Sequence, residues 1–320
     1  MAFSSYLLRK FFANPGEALR IKRAGDEVRA YAVWKLYEVL EGSGLLAKLQ
    51  EQPWWSFGDR DLARVVCDTL VAEGLADRAG DVIRVKRRPQ RPAITTREAA
   101  DFAPVFDRAF LYLPRALETG EKPPQSEVRA EMAKLLDNFA TRLEMEVAVE
   151  ETGLSKLGEG AVIADLYPRS GASTMVLLER TRARVIAVDP YRENLAMVER
   201  LVKLAGQEAR VSCVQAPLEE AKLPEKVDAV FMAEVVHWTF NPRLALARAR
   251  ENVKREGFLA VAQSTYSSLG LPAAAAGLLL GALAPPPASG ELRGMIREAG
   301  FSIEKWLESL GVVIAKAAPE

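Results

Sequence analysis

The chain has 320 residues, with 43 Lys+Arg against 43 Asp+Glu and a single histidine. Zero formal charge gives no global pull toward nucleic acid or acidic membranes, and this length can hold two cores. Two cysteines and one histidine fall short of the usual zinc set, so no metal is expected.

Met1–Phe12 has no cleavage-site pattern, so no signal peptide is expected. Cys67 and Cys213 lie far apart in apolar contexts, which points to free thiols and a cytoplasmic setting. Scarce Asn, Gln and His beside abundant Arg, Glu and Ala fits a thermophilic source or a GC-rich genome.

From Val28 to Gln50, Val33, Trp34, Leu36, Tyr37, Leu40, Leu45, Leu46 and Leu49 recur at helical spacing. A second helix is expected from Asp59 to Glu73, stopped by Gly74. Leu75 to Val85 alternates around Ala79-Gly80-Asp81, the pattern of a hairpin. Helices followed by a small hairpin make a winged-helix-like module, assigned to residues 1–95. A basic, proline-broken linker follows at 86–97.

Up to Arg97 there are 17 Lys/Arg against 12 Asp/Glu, a weak positive bias. The helix that would read DNA carries Asp59, Asp61, Asp68 and Glu73 against Arg60 and Arg64. Such a face repels phosphates, so no nucleic-acid partner is expected.

Residues 96–155 are expected to form bridging helices. One covers 97–118, with Phe102, Val105, Phe106, Phe110 and Leu111 on one side. A longer one, capped by Ser126, runs to about Thr152 and bears Met132, Leu135, Leu136, Phe139, Leu143, Val147 and Val149. The large apolar residues in 1–50 and 102–111 exceed the needs of a small core, which predicts a homodimer.

From Ala161 strands alternate with helices, which predicts a parallel-type α/β sheet over 156–320. Strands are expected at 161–166, 184–189, 210–215, 227–233, 257–263, 301–308 and 311–316. Helices are expected at 172–181, 191–205, 242–253 and 290–299. Segment 269–287 holds Leu271, Leu278, Leu279, Leu280 and Leu283. It reads either as a lid over an apolar substrate or as a helix buried at a dimer interface. Its glycines and prolines argue against a membrane span.

The densest signal is 161–189. An apolar strand ends in Asp165-Leu166, the loop Tyr167-Pro168-Arg169-Ser170-Gly171 enters a helix, and the next strand ends at Asp189. A strand feeding a helix N-terminus favours an anion, and an acid ending the second strand suits a ribose diol. The segment resembles the Rossmann-like S-adenosylmethionine (SAM)-dependent methyltransferases, which run strand, Asp-Leu-Gly-x-Gly-x-Gly, helix, strand, Asp. Asp165 and Gly171 match that pattern. Tyr167 and Arg169 stand where the first two loop glycines would be, and a Cβ there hinders close backbone approach.

The resemblance implies SAM as cofactor and S-adenosylhomocysteine as product. Asp165, the loop residues Tyr167, Arg169 and Gly171, and Asp189 would hold it, with Tyr191 along the ribose or adenine. Leu218 would pack on adenine, although Gln215-Ala216-Pro217-Leu218 lacks the acid the family places there. Arg169 admits two readings: a fork on the cofactor carboxylate, or a solvated residue beside a vestigial site. Asp189 could hold ribose, cap the following helix, or do both.

His237, the one histidine, falls in Phe231-Met232-Ala233-Glu234-Val235-Val236-His237-Trp238. Plant-type O-methyltransferases carry a general base in a similar His-Trp stretch, so the resemblance makes His237 a proton acceptor. The other reading is a structural or substrate-lining residue. Glu234, at the strand's carboxyl end, is a further contact candidate.

The whole order of module, bridging helices and seven-stranded sheet is similar to O-methyltransferases with an N-terminal dimerisation domain. Residues Leu292 to Phe301 look like that family's last helix and hairpin. The implied activity is methyl transfer to a small hydrophobic acceptor, O-methylation being one form. The rival is a catalytically inactive methyltransferase-like protein that binds another ligand or acts as a winged-helix regulator.

Overall fold

The structure, a computed structural model, describes residues 12–320. The signal-peptide expectation therefore falls almost wholly outside the described residues. Two compact units emerge, one of residues 14–138 with 266–286, the other of 139–265 with 287–320.

The first unit opens with α1 (Pro15–Gly42). Asn14 caps it by accepting from Glu17 N at 3.1 Å, and Pro15 fills the first helical position. The helix begins well before Val28. Before Val28 it buries only Ala24, so apolar periodicity is silent there. After Gly44 (φ 75°) come α2 (Leu45–Glu51) and α3 (Arg60–Ala72), the latter capped by Asp59 on Leu62 N. Strands β1 (Ala76–Ala79) and β2 (Val82–Val85) form the expected antiparallel hairpin about Gly80.

Two helices differ from expectation. Residues 97–118 divide into α4 (Arg97–Phe110) and α5 (Leu113–Thr119), because Pro114 has no N–H to continue the ladder and instead fits a new first turn. The long helix also divides, into α6 (Gln125–Leu136) and α7 (Phe139–Thr152), and starts after Pro124 rather than at Ser126. Asp137 leaves the helical region (φ −125°, ψ 77°) and Asn138 Nδ2 donates back to Leu135 O, a local bond that competes with the helix. The expected bridging region 96–155 thus splits between the units at Asn138/Phe139.

Two cations of the basic stretch are ion-paired and a third is bonded to backbone carbonyls. Lys86 pairs with Asp77 at 3.0 Å, Arg88 with Glu41 at 2.8 Å, and Arg87 donates to Glu73 O and Gly74 O.

The second unit is built on a seven-stranded sheet in the order β5-β4-β3-β6-β7-β9-β8. After α7 the chain runs β3 (Val162–Leu166), α8 (Ala172–Arg180), β4 (Arg184–Asp189), α9 (Arg192–Leu204) and β5 (Val211–Gln215). It then crosses to β6 (Val227–Ala233), α10 (Pro242–Asn252) and β7 (Val253–Ser264). Next is α11 (Leu271–Leu279), which belongs to the helical unit, then α12 (Ser289–Glu298), β8 (Phe301–Ser309) and β9 (Val312–Pro319). Strands β5, β4, β3, β6 and β7 are parallel, and β9 runs antiparallel to both β7 and β8. Every residue of β3 is buried, as a central parallel strand covered on both faces must be.

Within the helical unit, α11 packs on α1, α3 and α4, with Leu271, Leu278, Leu279 and Leu280 buried. These leucines complete that unit's own core, so neither a lid nor a dimer face is needed to account for them. Leu283 is 43% exposed. Among the described residues no helix is long and apolar enough to cross a membrane.

The topology fixes where a ligand belongs. Strand β3 leads to β4 on one side and, later in the chain, pairs with β6 on the other. A crevice opens outside the carboxyl ends of such strands, at the switch between the two directions.

Candidate functional site

Asp165, near the end of β3, is completely buried. Its Oδ2 accepts from Ser173 Oγ at 2.8 Å and Thr174 Oγ1 at 2.6 Å, tying β3 to the first turn of α8. Its Oδ1 is buried with no hydrogen-bond partner. Burial pushes the carboxyl up to about 6, against the opposing pull of the two hydroxyls and Arg169.

The loop follows a glycine's path without the glycines. Tyr167 (φ 64°), Arg169 (φ 48°) and Gly171 (φ 85°) are all left-handed, at the three positions the methyltransferase pattern gives to glycine. Each non-glycine residue there costs about 1–3 kcal/mol. Two bonds hold the path: Tyr167 N donates to Val188 O at 2.7 Å, and Arg169 N to Asp189 Oδ2 at 3.2 Å. A Cβ at Gly171 would lie 2.9 Å from Leu201 Cδ1 of α9, a side-chain end that would have to give way.

Arg169 is not a solvated residue; only 3% of its surface is exposed. Its Nη1 donates to Glu234 O at 2.7 Å and its Nη2 to Ala233 O at 3.0 Å. The guanidinium lies 4.9 Å from the Tyr167 ring and 5.3 Å from the Trp238 ring. Its donors therefore turn inward onto the end of β6.

Asp189, at the end of β4, is also completely buried. Oδ1 accepts from Tyr191 N at 2.9 Å and Asn194 Nδ2 at 3.0 Å, while Oδ2 accepts from Arg169 N and Asn194 Nδ2, both at 3.2 Å. Asp189 does not cap α9, whose N-cap is Tyr191; it braces the entry to the helix through Tyr191 N and the Asn194 side chain. Burial again raises its pKa to about 6 despite these donors. Tyr191 is half-buried, its ring 6.5 Å from that of Tyr167. Leu218 is buried in the loop after β5.

His237 lies in the short turn Val236–Trp238 after β6, buried beside Gln263 of β7. Val236 N donates to Gln263 Oε1 at 3.0 Å, which fixes which end of the amide is which. Gln263 Nε2 is then the donor to His237 Nδ1, 3.0 Å away. The imidazole proton resides on Nε2, which is 3.8 Å from Glu234 Oε2. Burial and the Arg169 charge push the His237 pKa down to about 3, so the ring is neutral. Glu234 adopts φ 55° and accepts from Ser264 N. Glu144 of α7 lies near Glu234, and burial together with that neighbouring carboxylate raises its pKa well above the usual range.

Asn194, Gln263 and Glu144 are thus site residues that the sequence reading missed. Each is a polar residue interrupting an apolar face, and only that interruption could have flagged it.

Arg169 joins the loop after β3 to the ends of β4 and β6, its backbone N–H on Asp189 and its guanidinium on Ala233 O and Glu234 O, with the Tyr167 and Trp238 rings beside it. These acceptors are taken by the chain's own donors, so SAM at this place would have to displace them.

Residues 167–261 match the family described as a methyltransferase domain. No curated protein matches the chain by sequence. Among solved structures, the chain is similar to the DszA carbon methyltransferase, at 16% identity over 98% of this chain and 93% of that one, TM-score 0.67. It is also similar to an O-methyltransferase family 2 protein from Planctomyces limnophilus, solved with apigenin, at 16% identity, 93% and 96% coverage and TM-score 0.60. The mitomycin 7-O-methyltransferase MmcR shows 16% identity, 98% and 100% coverage and TM-score 0.56. At such identities the likeness is one of fold. Residues 167–261 thus match the model of a methyltransferase domain, and the chain shares the fold of O- and C-methyltransferases.

Proposed function

We propose that the protein transfers a methyl group from SAM to a small, largely apolar acceptor. The observation that carries this reading is the match of residues 167–261 to a methyltransferase domain, on a fold shared with O- and C-methyltransferases. At the switch point the Arg169 guanidinium lies on the Ala233 and Glu234 carbonyls and its backbone N–H on Asp189. Bound SAM would supply an electrophilic methyl on sulfur. The chain would orient it through Asp189 at the ribose, the β6 carbonyls at the methionine end and Leu218 at the adenine.

His237 lines this site as a neutral ring, its Nδ1 already accepting from Gln263. The fold neighbours include both O- and C-methyltransferases, so the methylated atom stays open between them. A cytoplasmic homodimer joined through the winged-helix-like unit completes the reading. In the helical unit of residues 14–138 with 266–286, Leu19, Trp55 and Leu111 are exposed apolar side chains available to such a contact.

Calorimetric titration with SAM and S-adenosylhomocysteine tests the proposal. Asp189→Ala should weaken binding about 30-fold or more, as loss of a charge-assisted bond pair implies. No binding at millimolar ligand would contradict it. One observation favours the inactive rival: every lone pair of Asp189 is already taken within the chain.

A further inference from the structure

We infer that Arg169 is an internal competitor of the cofactor's methionine end: its guanidinium holds the two β6 carbonyls, and a cationic ligand group reaches them only when it lets go. The inference rests on the SAM reading and adds how that site is gated.

At one end the guanidinium bridges Glu234 O and Ala233 O, at 2.7 and 3.0 Å. These acceptors, at the carboxyl end of β6, are where a ligand's cationic group would otherwise be received. At the other end the Arg169 backbone N–H donates to Asp189 Oδ2 at 3.2 Å. That bond uses the lone pair a ribose hydroxyl would need, the rest being held by Tyr191 N and Asn194 Nδ2. Tyr167 and Trp238 complete a slot that the side chain fills.

The closed state is gripped but not perfected. Arg169 is held at φ 48°, and its Nε is buried without a partner. Withdrawal of the guanidinium would return Nε to water while giving up the two carbonyl bonds and the aromatic contacts. Apparent affinity is then the intrinsic affinity multiplied by the open fraction.

Calorimetry of wild type, Arg169→Gly and Arg169→Lys with SAM and with adenosine tests this, with circular dichroism melting as the check on folding. Arg169→Gly removes the competitor and suits the left-handed backbone, so it should bind SAM about tenfold tighter or more. Adenosine has no sulfonium or ammonium, and its affinity should change less than about threefold. Arg169→Lys keeps the charge but cannot bridge both carbonyls, so its SAM affinity should fall between, and it decides the matter if the glycine variant does not fold.

Equal or weaker SAM binding by the folded variants would overturn the inference and leave the SAM reading standing, with Arg169 holding cofactor rather than excluding it. If neither wild type nor folded variants bind SAM or adenosine at millimolar concentration, the SAM reading falls, and this inference with it.

Discussion

Gln263 donates from Nε2 to His237 Nδ1 at 3.0 Å, and this one bond takes the imidazole lone pair that a general base would use. The other ring nitrogen carries the proton toward Glu234. Because His237 is the only histidine, its ring can be followed alone by NMR. The expected spectrum is a neutral Nε2–H tautomer that does not titrate from pH 5 to 8, in keeping with a pKa of about 3. A titration near the ordinary value of about 6.5 would restore the general-base reading.

The same shift sets an acid sensitivity. The folded His237 pKa lies below the unfolded one, so its contribution to stability is complete above about pH 6.5 and is lost as pH falls toward 3. His237→Gln should flatten the fall in urea-unfolding stability between pH 7 and 5. An unchanged slope would show that His237 is not buried as a neutral ring.

Asp165 acts with the opposite sign. Its folded pKa of about 6 lies above the unfolded value, so it stabilises fully below about pH 4, and that contribution is lost as pH rises through 6. Asp165→Asn should therefore look better, relative to wild type, at pH 8 than at pH 4.5, by about 2 kcal/mol. Asp189 shares the shift and His237 opposes it, so the wild-type curve alone does not isolate the effect. An identical stability difference at the two pH values would contradict it.

Asn194 donates to both oxygens of the buried Asp189 carboxylate. Asn194→Ala leaves that charge short of a donor, and about 1–3 kcal/mol of stability should be lost. A denaturant midpoint within error of wild type would mean that Tyr191 N and Arg169 N suffice.

The strand–helix alternation after Ala161 was plainly legible because central parallel strands are apolar throughout and their helices begin and end at strong signals. The start of α3 near Asp59 was legible for the same local reasons. The helix breaks at Pro114 and at Asp137–Asn138 were not, since apolar periodicity continues across them. The inward turn of Arg169 depends on carbonyls at Ala233 and Glu234, some sixty residues later in the chain. Sequence spacing carries no sign of such a partner. The Gln263–His237 bond is equally non-local, joining the turn after β6 to a mid-sheet polar side chain of β7.

A crystal structure of the protein soaked with S-adenosylhomocysteine tests the central claim most directly. The account predicts ligand over the carboxyl ends of β3 and β4, its ribose hydroxyls on Asp189 and the Arg169 guanidinium withdrawn from Ala233 O and Glu234 O. Ligand density elsewhere, or a bound ligand with Arg169 still on both carbonyls, would contradict it.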